Sequence, residues 1–174
     1  MAVTAPDFVH KVVFLGDSMV GKTSLVERYV YDSLSPQTAR TIGAMLHVKV
    51  MKHQDETIKL VIWDLGGQES FAALREQYCA NAAGAFLVVD ITRPETLANI
   101  DNWLNSLFSA AGEVPVILIA NKIDLQPVIT DAQLDGLAEV RNLDLIRTSA
   151  TENENVDEAF TELVDEIQMR TRSR

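Results

Sequence analysis

Gly16-Asp17-Ser18-Met19-Val20-Gly21-Lys22-Thr23 follows directly on the apolar run Val9–Leu15 and opens into a helical pattern, Ser24–Val30. The octapeptide fits Gly-x-x-x-x-Gly-Lys-[Ser/Thr], and a strand before it with a helix after it is the context in which that pattern holds phosphate. The glycines let the backbone wind so that successive N–H groups, here from Asp17 through Gly21, point inward at an anion. The helical pattern that follows from Ser24 adds the partial positive charge of its N-terminus. Lys22 is placed to neutralise β- and γ-phosphates, and Thr23 to offer a hydroxyl to Mg²⁺.

Outward from this loop, short apolar runs alternate with amphipathic helical patterns along the whole chain. The runs are Val9–Leu15, Ala44–Met51, Ile58–Trp63, Ala85–Val89, Val114–Ala120 and a weaker Leu143–Ile146. Such alternation predicts an α/β fold, a six-stranded, mostly parallel sheet with helices on both faces. The second and third runs are close enough to pair as a hairpin around Lys52–Glu56. Leu97, Ile100, Leu104, Leu107 and Phe108 mark one helix, begun by Pro94 in its first turn. Val156, Ala159, Phe160, Leu163, Val164 and Ile167 mark the last, and Asn155 with Glu158 predicts a capping box at its start. The stretch Asp32–Gly43 has no clear period, as functional loops often do not.

Three further segments bear on which nucleotide the loop serves. Trp63-Asp64-Leu65-Gly66-Gly67-Gln68-Glu69 closes the third run. An acid at that strand end can reach Mg²⁺, Gly67 frees a backbone N–H for a γ-phosphate, and Gln68 lies beside it. Asn121-Lys122-Ile123-Asp124 follows the fifth run. A carboxylate accepts from both the ring N–H and the exocyclic amine of guanine, a donor pair that adenine lacks, so Asp124 reads as the base selector. Thr148-Ser149-Ala150-Thr151 follows the sixth and supplies small residues whose N–H groups suit a base carbonyl.

With these segments in order, the chain resembles small GTPases of the Ras superfamily and looks most similar to the Rab branch, over residues 8–169, with 1–7 and 170–174 left as short tails. The resemblance implies a P-loop small G domain binding GTP or GDP with Mg²⁺. It implies nucleotide contacts from Asp17, Ser18, Met19, Val20, Gly21, Lys22, Thr23, Ser24, Leu34, Gly67, Asn121, Lys122, Asp124, Ser149, Ala150 and Thr151. The metal would be held by Thr23, Thr41 and Asp64, and hydrolysis served by Gln68, Lys22 and Thr41, where Thr41 lies in Arg40-Thr41-Ile42-Gly43. Rab-like features are that Thr-Ile-Gly, the approach Lys59-Leu60-Val61-Ile62-Trp63-Asp64, and Tyr78. The departures are specific. Leu34 stands where the family often has an aromatic ring on the guanine, Thr151 where it often has a Lys, and Leu46 where a Rab trio completed by Trp63 and Tyr78 has Phe. Met19 stands where many relatives have Gly, and no cysteine suited to prenylation follows the last helix. Gly66 resembles Arf-like chains, against which Ala2 argues.

The 174 residues, 47% apolar, suit one domain with a sizeable core. A net charge of −10 disfavours nucleic acid and general adhesion to anionic bilayers. The single cysteine, Cys79, fits a reducing compartment and reads as a buried small hydrophobe, and no apolar stretch is long enough for a span, so a cytoplasmic address is expected, with peripheral membrane association only through partners. His10, His47 and His53 lack metal-ligand spacing. Partners implied by the resemblance are effectors, exchange factors and GTPase-activating proteins at the switch surface. No Arg in the phosphate or switch loops is an evident finger for the γ-phosphate, although Arg40 is near in sequence. Trp63 is expected to report on the switches, and Trp103, remote from them in sequence, to stay silent. Two rivals stand beside the switch: a P-loop nucleoside or nucleotide kinase, and a nucleotide-locked module that never hydrolyses.

Overall fold

The structure, a computed structural model, describes residues 5–36, 40–69 and 72–173. Among them the chain runs β1 (Phe8–Leu15), α1 (Lys22–Tyr31), β2 (Ala44–His53), β3 (Glu56–Leu65), α2 (Ala72–Cys79), β4 (Gly84–Asp90), a 3₁₀ turn (Pro94–Leu97), α3 (Ile100–Ala111), β5 (Val116–Asn121), α4 (Asp131–Val140), β6 (Asp144–Thr148) and α5 (Val156–Arg172). The sheet order is β2-β3-β1-β4-β5-β6. Every pairing is parallel except β2 with β3. The predicted six strands and hairpin are therefore present, and Gln54-Asp55 make the turn, with Gln54 at positive φ.

Consecutive residues of a strand point to opposite faces, so a strand covered on both sides must be apolar without interruption. In β1, Val12 and Phe14 enter one core with Leu25 and Val26 of α1 and Phe160 and Leu163 of α5. Val13 and Leu15 enter the other, with Cys79 of α2, Trp103 and Leu107 of α3, and Leu134 of α4. Cys79 is buried, as its reading required, and burial raises its thiol to about 11. Phe14, Phe86 and Phe160 pack ring to ring at centroid separations of 4.7–5.7 Å, and Tyr29 stacks on Phe160 at 3.6 Å.

Four details differ from the expectation. Pro94 opens a separate 3₁₀ turn that contains Leu97, and α3 starts only at Ile100. The strand expected from Val114 starts at Val116, because Pro115 has no N–H to give the ladder. Asn155 does not form the predicted capping box. It sits at φ 58° and turns its amide to the Arg147 carbonyl at 2.8 Å, while the box that exists is Thr130 with Gln133 at the start of α4. Finally, 170–172 are not a tail: α5 runs through Arg172, whose guanidinium meets Glu56 at 2.7 Å, and Gln168 donates to the same carboxylate at 3.0 Å. Asp7 is likewise anchored, donating its N–H to the Thr57 carbonyl and accepting from the Thr57 N–H.

This topology gathers the motifs. Gly16 follows β1, Gly66 follows β3, and Asp90, Asn121 and Thr148 end β4, β5 and β6, so all of them lie along the carboxyl edge of the sheet, where open α/β sheets bind ligands.

Candidate functional site

A cavity of about 260 Å³ opens on that edge. Its wall includes Ser18, Met19, Gly21, Lys22, Thr23 and Ser24 from the phosphate loop, Thr41 from the stretch before β2 and Gly67 from the stretch after β3, which the resemblance makes the first and second switch segments, and Asn121, Lys122, Asp124, Ala150 and Thr151 from the two base motifs. The sequence-predicted residues are thus largely brought to one place.

The loop holds its shape by backbone geometry that few residues tolerate. Gly16 and Gly21 have φ of +139° and +100°, and a Cβ on them would lie 2.3 Å from the Val88 carbonyl oxygen and from the Asn121 amide nitrogen. Gly21 caps α1 with no side chain, which leaves the first N–H groups of the helix open to a ligand. Met19 adopts φ 66°, a left-handed conformation at a position where glycine would be free of strain.

At the inner end Lys22, 5% exposed, donates to the Gly16 and Asp17 carbonyls at 2.7 and 2.8 Å. Burial lowers its ammonium to about 8, against the pull of Asp64 and Asp17. Beside it three hard oxygen donors converge. Thr23 Oγ1 lies 2.6 Å from Thr41 Oγ1 and 2.5 Å from Asp64 Oδ2, and Thr41 Oγ1 is 3.4 Å from the same carboxylate oxygen. Asp64 is fully buried, its Oδ1 has no partner among the described residues, and burial raises its carboxyl above the ordinary range despite Thr23 and Lys22. Two hydroxyls and an underpartnered buried carboxylate are a donor set that suits Mg²⁺. The segment after β3 lies against both the phosphate loop and the Thr41 segment: a Cβ on Gly67 would fall 2.2 Å from Ser18 N, and one on Gly66 2.6 Å from the Thr41 carbonyl oxygen.

At the outer end Asp124 accepts from Ser149 Oγ at 2.7 Å, which fixes its carboxylate before any base arrives. Asn121 works on the protein itself. Its amide donates to the Val20 carbonyl at 3.0 Å and accepts from Thr148 Oγ1 at 3.0 Å, tying β5 and β6 to the phosphate loop. Lys122 does the same, bonding the Met19 carbonyl at 2.8 Å and pairing with Asp90 at 2.7 Å. Burial alone would raise Asp90, but Lys122 and Thr92 outweigh it and hold its carboxyl below the usual range.

Not every expected contact sits on the wall. Leu34, half-buried, packs against the core that α1 and α5 share and is not on the cavity wall. Val20 is fully buried and offers only backbone, and Ser149 acts through Asp124. Gln68 is half-buried and lies off the wall, next to Gly67 on it.

Asp17 turns its side chain away from the cavity, accepting from Asn99 at 3.2 Å and from the indole N–H of Trp103 at 3.1 Å. That corrects the expectation for Trp103. Its ring is 1% exposed, bonded to the phosphate loop, and covered by the Arg75 guanidinium of α2 at 3.8 Å, so it touches the machinery from which its sequence distance separates it. Sequence reasoning also missed Arg28, which from α1 holds the Ala150 and Thr151 carbonyls at 2.9 and 3.3 Å. Trp63 and Tyr78 are in contact at 5.7 Å between centroids, and Leu46 faces Trp63 across the β2–β3 ladder with 55% of its surface exposed. No helix among the described residues is long and apolar enough to cross a membrane.

The family model described as "Ras: Ras family" matches residues 11–169. Ras-related protein RABA6b of Arabidopsis thaliana is 41% identical over 165 residues, 92% of this chain and 72% of that protein. Ras-related protein RABA5a of the same plant is 39% identical over 164 residues, covering 92% of this chain and 74% of its own. Ras-related protein YPTC6 of Chlamydomonas reinhardtii is 37% identical over 165 residues, with shares of 92% and 76%.

Proposed function

Since the chain belongs to the Ras family and is a small, Rab-like GTPase, we propose that it is a GTP-dependent switch whose two loops close on Mg²⁺ and the γ-phosphate and open when that phosphate is lost. The observation that carries this reading is the convergence of Thr23, Thr41 and Asp64, residues from the phosphate loop and both switches, beside Lys22. Thr23, Thr41 and Asp64 would hold the metal, which supplies neutralisation of charge on the phosphate oxygens.

The remaining roles follow from position. Lys22 exchanges two carbonyl partners for phosphate oxygens, and phosphate contact restores the full charge that burial disfavours. Gly67 packs against Ser18 of the phosphate loop, where its N–H would meet the γ-phosphate, and Gln68, one residue further, would orient the attacking water. Asp124 accepts from the two N–H donors of guanine, with Ala150 and Thr151 beside the base. Leu46, Trp63 and Tyr78, next to the switches, form the surface on which effectors, exchange factors and activating proteins read the state. The Rab resemblance favours a role in membrane trafficking, exerted through such partners.

The test is direct. The nucleotide that co-purifies with the protein is identified by mass, and single-turnover hydrolysis is followed in the parent and in Gln68→Leu. Bound GDP or GTP, slow turnover in the parent and slower turnover in the variant are expected. A bound adenine nucleotide restores the kinase reading, and a parent with no turnover restores the locked module.

A further inference from the structure

Arg40 lines the same cavity as Lys22, Thr41 and Gly67, and its side chain is exposed. It immediately precedes Thr41, whose hydroxyl is 2.6 Å from that of Thr23 at the metal and γ-phosphate end of the site. The other two cations on the wall are already engaged: Lys22 on the Gly16 and Asp17 carbonyls, Lys122 on the Met19 carbonyl and Asp90. Among the described residues no hydrogen bond or ion pair engages the Arg40 guanidinium. Arg93 and Arg75 lie outside this cavity, Arg93 committed to the Ser18 carbonyl and Glu95 and Arg75 lying over the Trp103 ring.

From this placement, and resting on the GTPase reading above, we infer that Arg40 is a chain-supplied arginine for the γ-phosphate, a catalytic residue that this protein does not borrow from a partner. Hydrolysis breaks the bond between the γ-phosphorus and the β–γ bridging oxygen as water oxygen bonds to that phosphorus; the electron pair of the broken bond leaves with GDP, and the water's proton passes to an oxygen of the phosphate that is released. A guanidinium presents several N–H donors in a fixed fork, matched to oxygens that gain negative charge in that step. Its position one residue before Thr41 means that the switch closure which completes the metal ligands also delivers the charge. Intrinsic turnover should then resemble that of GTPases with an arginine in their own chain rather than those that wait for one.

The test uses single-turnover GTP hydrolysis with Mg²⁺ and no partner protein, together with GDP and non-hydrolysable GTP-analogue affinities. Arg40→Ala and Arg40→Gln should both slow hydrolysis roughly ten- to thirtyfold, Arg40→Lys should recover part of the loss, and GDP affinity should hold within about twofold. Hydrolysis within about twofold of the parent in Arg40→Ala overturns the inference. So does an equal loss of GDP affinity in both neutral variants, which would place Arg40 at the base or in the fold. A parent that binds no guanine nucleotide instead defeats the GTPase reading itself, and is seen before any variant is made.

Discussion

Replacing Trp103 by Phe isolates the contact that ties α3 to the phosphate loop. Three effects add. The Asp17 carboxylate loses a donor at 3.1 Å while keeping Asn99 at 3.2 Å, and a hydrogen bond to a charged group contributes about 1.5–3 kcal/mol. The Arg75 guanidinium, 3.8 Å above the ring, exchanges indole for a benzene face that attracts a cation less, a loss of about 0.5 kcal/mol. The smaller ring leaves space in a site that is 1% exposed, costing about 1 kcal/mol if the surroundings relax only partly. Together these amount to about 3–4.5 kcal/mol, or a Tm lower by about 6–18 °C for a domain of this size. Melting is followed with GDP and Mg²⁺ held at one saturating concentration, because bound ligand itself moves Tm. A Tm within about 2 °C of the parent would refute the account, since the indole N–H would then add nothing net to Asp17. Emission gives a second reading. With Trp63→Phe leaving Trp103 alone, exchange of GDP for a GTP analogue should still change fluorescence, and silence would mean that the Asp17 contact does not sense the nucleotide.

Asp124→Asn should shift preference from guanosine toward xanthosine nucleotides, because an amide donates where the carboxylate accepts; unchanged preference in competition binding would remove Asp124 from the base site. Thr151→Lys should slow release of a fluorescent guanine nucleotide roughly three- to tenfold by covering the base with an aliphatic stem, whereas Leu34→Phe, on the core side, should leave the off-rate unaltered. A slowed release in Leu34→Phe alone would reverse that assignment. Lys22 is at about 8 in the free protein, below its ordinary 10.5, and phosphate raises it, so binding takes up a proton at higher pH. GDP affinity should therefore be flat below about pH 7 and weaken as pH rises through 8, approaching roughly tenfold per unit, as titration calorimetry would show. The same depressed value makes the unfolded chain hold more protons between about 8 and 10.5, so Lys22 burial destabilises the free protein most at neutral pH and progressively less as pH rises through that window.

What the sequence reveals of this protein is what lies close along the chain. Apolar runs announce the six strands because residues buried on both faces leave no polar interruption, and the phosphate loop and the two base motifs are legible because their chemistry is compressed into a few adjacent positions. Errors gather at boundaries and caps. Asn155 carries a capping residue's side chain, yet its left-handed backbone sends that amide to Arg147, and the Thr130–Gln133 box, written plainly in Thr-Asp-Ala-Gln, goes to a helix with a weaker apolar pattern. The contacts that position the site stay hidden for another reason. Asp17 with Trp103, Val20 with Asn121, and Arg28 with Ala150 are joined across 86 to 122 residues, and only the strand order brings them together. Leu34 illustrates the converse: a position inferred from relatives is held by its own core packing.

The hydrogen bond from Gly66 N–H to the Gly43 carbonyl, 2.7 Å long, is the outermost rung of the β2–β3 ladder, beyond the Ala44–Leu65 pair. One switch segment enters that ladder and the other leaves it at the same mouth, and the Gln54-Asp55 turn closes it at the far end. Neither segment can peel away without loosening the strand end that anchors its partner, so their opening free energies are shared rather than additive. A protein that grips only one of them acquires leverage over the second through backbone alone. Native-state hydrogen exchange should register this as a single cooperative unit, with the Gly66 amide gaining and losing protection together with those of the first β2 residues.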